Sequence, residues 1–140
     1  MKNGFNILIC LLLLSAGNCL AQAISDEDPI DREYNSCILK DSSSANICAC
    51  AYFAYGKWEG EMDNAYKKLN RILKKDSDKA ALKQSQTAWK AYRDAEFSSY
   101  DHMFNRPGGN WCGIRQDNRI EVVRARAIQL RGYLEALKQK

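Results

Sequence analysis

The sequence predicts an all-α fold: a small bundle of three long helices plus a short N-terminal helix, stapled by disulfides. Three observations carry this. Apolar residues recur every three or four positions through three long segments. No segment alternates as a strand would, and four cysteines remain once an export signal is set aside.

The signal comes first. Lys2 precedes the apolar run FNILICLLLLSAG, too short to span a bilayer, and CLAQA follows with Ala21 and Ala23 placed for cleavage. Residues 1–23 are therefore expected to be a signal peptide and residues 24–140 a single soluble domain, periplasmic or secreted. A lipid anchor on Cys19 is not expected, because Asn18 is a poor neighbour for a lipidated cysteine, and no later run is long enough for a transmembrane segment. The domain keeps all but one of the 21 basic residues against 17 acidic ones, interleaved along helices. That mixture argues against a nucleic-acid partner.

Removing the signal takes Cys10 and Cys19 with it and leaves Cys37, Cys48, Cys50 and Cys112. An even count in a small exported domain reads as two disulfides, with three connectivities open. The close pair Cys48 and Cys50 would also suit a metal, but His102 is the only histidine, so no metal and no cofactor is expected.

The elements follow in order. Asp28 and Pro29 can start a short helix through IDREYNSCILK, and DSSSAN supplies Ser43 or Ser44 to start the next. Ile47, Ala51, Ala54, Tyr55, Trp58, Met62, Tyr66, Leu69 and Leu73 then mark one long amphipathic helix to about Lys75. Gly56 and Gly60 each cost it ~1 kcal/mol against alanine, which predicts a slight bend or a close packing contact there. DSD at Asp76 to Asp78 restarts the chain as a second long helix, with a seam expected at Ala81, Ser85, Ala88, Trp89, Tyr92, Ala95, Ser99 and Met103. The short turn between them predicts an antiparallel hairpin. Pro107, Gly108 and Gly109 make NRPGGNWCG a loop, and Ile120, Val123, Ala127, Leu130, Leu134 and Leu137 form the last seam, laid against the hairpin.

The segment QSQTAWKAYRDAEF holds the densest chemistry. On a helix Gln86, Trp89 and Arg93 share a face, and Arg93 can also reach Glu96. An arginine beside a buried tryptophan can stack on the ring while its fork holds a carboxylate across the interface, for which Glu59 and Asp63 are the candidates. These five residues are read as a structural clamp between two helices. Enzymatic signatures are thin: carboxylates are plentiful, but there is no phosphate loop, nucleophile elbow or His-Cys-Asp set, and an enzyme is not expected.

The order Cys50, EGEMDNAYKKLNRIL, LKQSQTAWKAYRDAEF, GGN and VRARAIQLRGYL resembles the LprI-type lysozyme-inhibitor domain family over about residues 37 to 137. The resemblance implies an exported helical protein with disulfides whose partner is a protein, a lysozyme in the case of the family's named member. Phe97 stands where the family has a cysteine, Val123 where it has threonine, and Glu59 and Asp63 where it has Asp and Asn. Cys48 and Cys112 read as the substitute for the missing pair, so the comparison implies Cys37–Cys50 and Cys48–Cys112.

Pinned by Cys112, the loop HMFNRPGGNWCGIR would present Phe104, Arg106, Asn110, Trp111 and Arg115 as partner-binding candidates, since Trp and Arg are frequent interface anchors. Trp111 capping the open end of the bundle is the plainer alternative. The expected function is steric inhibition of a lysozyme or related cell-wall-degrading enzyme; an envelope interaction or immunity module with another protein target is the rival. A weakly basic chain gains no long-range attraction to a basic lysozyme, so steering would need a local acidic patch: Asp26, Glu27, Asp28, Asp31 and Glu33.

Overall fold

The structure, a computed structural model, describes residues 27–139. The expected signal peptide, Cys19 and Asp26 lie outside the described residues. Four helices follow one another: α1 (Pro29–Lys40), α2 (Ser44–Ile72), α3 (Asp76–Met103) and α4 (Trp111–Lys138), with no strand among the described residues.

Local chemistry sets their ends. The Asp28 carboxylate accepts the Ile30 amide at 3.0 Å with Pro29 opening α1, and Ser43 Oγ accepts the Asn46 amide at 3.3 Å at the start of α2. Helix α2 ends at Ile72, short of Lys75, and α3 begins at Asp76 with two acids, Asp76 and Asp78, in its first turn. Gly108 and Gly109 take positive φ of 74° and 61°, a conformation that ends helical geometry and suits glycine. The loop is shorter than its composition indicates: α4 begins at Trp111, so Trp111, Cys112 and Arg115 belong to its first turns.

The closest pair is not the expected α2–α3 hairpin but α2 and α4. They run parallel, from the Cys48–Cys112 bridge at one end to Leu69 and Leu134 at the other. Between them Trp58, Met62, Leu69, Val123 and Leu130 are fully buried, each worth roughly 1.5–3 kcal/mol of transfer free energy. Helix α1 lies antiparallel along one side of this pair, and α3 runs antiparallel along the other.

Helix α3 corrects the expected seam. Ala81, Ser85, Ala88, Tyr92, Ala95, Ser99 and Met103 face solvent, and its inward face is Leu82, Gln86, Trp89, Arg93, Phe97 and Tyr100. Only Gln86 among them is fully buried. The side chains that span this interface are long, so the backbone of α3 stands farther from the core than that of α4. Gly56 and Gly60 have open space where a Cβ would sit, so neither marks a close contact.

Candidate functional site

Two disulfides hold the end of the bundle. Cys37–Cys50 ties α1 to α2, and Cys48–Cys112 ties the start of α2 to the start of α4, with Cα atoms 5.9 and 5.4 Å apart. Cys48 and Cys50 thus enter separate bridges, and among the described residues no group of three or more His, Cys, Asp or Glu could hold a metal.

An aromatic ladder climbs α3 to this end. Phe97, Tyr100, Phe104 and Trp111 stand in steps of 6.4, 6.2 and 6.4 Å between ring centroids. The last step is stacked, with only 15° between the planes of Phe104 and Trp111. Arg106 lies over the Trp111 ring at 5.4 Å and is steadied by donating from Nε to the Met103 carbonyl at 3.2 Å. Met103 and Ile114 are exposed beside them.

The other two candidates turn inward. Arg115 Nε lies 3.6 Å from Asp101 Oδ1, which also accepts from Arg119 Nη2 at 2.6 Å. Asn110 packs against Gly113, where any Cβ would meet its Oδ1 at 2.5 Å. Of the five candidates only Arg106 is exposed; Phe104, Asn110, Trp111 and Arg115 are half-buried.

Farther along, Arg93 Nη1 sits 3.6 Å from Glu59 Oε1, and its Nε and Nη2 donate to Asp94 at 2.9 and 2.7 Å. Its guanidinium lies over Trp89 and Phe97 at 5.5 and 5.8 Å. Glu59 also accepts from the Tyr55 hydroxyl at 3.0 Å. Burial, then the Glu59 bond, pushes the Tyr55 pKa up to about 12. Asp63 is exposed and takes no part among the described residues. Trp89 is only half-buried; the fully buried tryptophan is Trp58.

Two sets of contacts escaped the sequence reading. Gln86 donates to Met62 Sδ at 3.0 Å and accepts from Arg126 Nε at 3.0 Å, so Arg126 completes the α3–α4 contact. On the opposite flank Arg124 and Arg131 lie over Trp58 at 5.4 and 5.5 Å and pair with Asp31 and Asp28, each at 2.8 Å. Tyr34 donates to Asp117, and Glu33 pairs with Lys57. The described acids of the expected steering patch are thus engaged within the fold. Asp28, Asp31, Glu33 and Glu27, which accepts from Asn35 at 2.6 Å, all have partners.

The described residues thus form a helical bundle with two disulfides and, at its tip, an exposed arginine over a half-buried aromatic stack. A family model described as lysozyme inhibitor LprI matches residues 37–130, and the chain belongs to that family. No curated protein and no solved structure gives a significant match. No described helix is long and apolar enough to cross a membrane.

Proposed function

We propose that the chain is exported and inhibits a lysozyme or a related wall-degrading enzyme by covering its cleft, with no chemistry of its own. Family membership supports the class of partner. The observation that supports the mode is the tip, where Trp111 stacks on Phe104 under Arg106. Cys48–Cys112 and the Asp101 pairs brace that tip, so little is left to order on binding. Tryptophan and arginine on a rigid support are the residues that dominate protein interfaces.

The test is the clearing rate of a cell-wall suspension treated with lysozyme. Native protein is expected to slow it, and Trp111→Ala and Arg106→Ala each to weaken inhibition about tenfold or more, the equivalent of ~1.4 kcal/mol. If a stoichiometric excess leaves several lysozyme types unaffected, the inhibitor reading fails. An envelope interaction or immunity role with another protein target then takes its place.

A further inference from the structure

Arg126 is the one deeply buried cation among the described residues, 6% exposed. Arg93, Arg115, Arg119, Arg124 and Arg131 each face a carboxylate within the ion-pair distance. Arg126 faces none among the described residues. Its partners are neutral oxygens: Gln86 Oε1 at 3.0 Å from Nε, Gln129 Oε1 at 2.5 Å from Nη1 and Ser85 Oγ at 3.1 Å from Nη2. A guanidinium carries five N–H donors, so one on each Nη is left over. A buried charge without a counter-charge is costly, and burial lowers the pKa of this arginine.

The same side chain lines a groove of about 480 Å³ between α3 and α4. Trp89, Tyr92, Val122 and Ala125 form its apolar walls, and Gln129 and the exposed Glu121 complete it. Trp89 is fixed between Arg93 and Arg126, at 5.5 and 5.9 Å from its ring. The groove is open to solvent, which suits one projecting side chain better than an enclosed small molecule.

We propose that this groove takes the carboxylate of an aspartate or glutamate side chain from a protein partner, gripped by the two remaining Nη N–H groups of Arg126. The aliphatic stem of the incoming residue lies against Trp89 and Tyr92. Such a fork-to-carboxylate pair supplies the missing counter-charge and fixes the orientation of the partner. The proposal rests on the chain's being a protein-binding domain, but not on which protein it inhibits.

The experiment is an NMR titration of the ¹⁵N-labelled chain with capped glutamate (N-acetyl-glutamate N-methylamide), following the Arg126 Nε–H and Trp89 indole signals. Saturable shifts are expected, absent with the capped glutamine. Arg126→Gln should weaken binding at least tenfold, and Glu121→Gln, which removes a competing negative charge from the groove, should tighten it. Equal response to glutamine, silent Arg126 and Trp89 signals, or tighter binding of inorganic phosphate than of capped glutamate overturns the proposal. Should Arg126→Gln fail to fold, Glu121→Gln and Tyr92→Ala decide, and unchanged affinity in both is fatal. No lysozyme is present, so this result and the inhibition assay fail independently.

Discussion

The indole Nε1 of Trp58 donates to Asp31 Oδ1 at 3.1 Å, across 27 residues of chain, while the other oxygen of that carboxylate holds Arg124 at 2.8 Å. One side chain on the short helix α1 therefore serves both the largest buried side chain of the core and a cation stacked over it.

Replacing Asp31 with alanine leaves a buried indole N–H and a stacked arginine without their acceptor. The expected cost is about 2–3 kcal/mol, from an unsatisfied buried donor with a discounted contribution from a partly exposed ion pair. Urea unfolding followed by Trp fluorescence measures it, and Asp31→Asn should recover part of the loss because its carbonyl can still accept from the indole. A cost within experimental error for Asp31→Ala would mean that α1 does not anchor the core.

Asp28 gives the chain an acid-sensitive contact. Burial pushes its pKa up, but the Ile30 amide and Arg131, helped by the charge of Arg124, together hold it below the ordinary 3.8. Its folded pKa is depressed, so its stabilisation is complete above the ordinary value and is lost as pH falls through the folded one. Asp28→Asn is therefore expected to be less stable than the native chain at neutral pH, with the difference shrinking as the pH drops below 3.8. Urea midpoints for both proteins at neutral and at acid pH check this, and a constant difference contradicts it.

Gly56 and Gly60 sit inside α2 with open space at the Cβ position. Alanine at either site is expected to stabilise the protein by roughly 0.5–1 kcal/mol, since it limits the unfolded chain and meets nothing in the folded one. Thermal unfolding of the two single variants and the double should show additive gains. A loss at either site would place an unseen contact on that face of α2.

Helices α2 and α4 were legible because their inward faces are apolar at helical spacing, from Ala51 to Leu69 and from Ile120 to Leu134. Helix α3 was not, because its polarity is inverted. Alanines and serines look outward, and the inward residues Gln86, Arg93 and Tyr100 are polar at their tips. Counting apolar positions there selects the wrong face. The frame around Trp58 escaped for a different reason: Asp28 and Arg131 are 103 residues apart, Asp31 and Arg124 93 apart. Surface-like charges of that separation carry no local pattern. At the tip, composition could not show that the first turn of α4 extends back to Trp111, where Asn110 packs against Gly113 and Arg115 lies beside Asp101.

The parallel pairing of α2 with α4 has a consequence for how the chain is made. When synthesis has reached Met103, three helices are complete in sequence but the surface that covers Trp58, Met62 and Leu69 has not yet emerged. Cys37, Cys48 and Cys50 all precede that point in the chain, and Cys112 follows it. If the chain is oxidised as it is made, Cys48 meets Cys37 and Cys50 before its native partner exists, and any bridge it forms with them has to be exchanged once α4 is complete. The last helix thus brings the one thiol that lets the Cys48 bridge close as it stands in the folded chain.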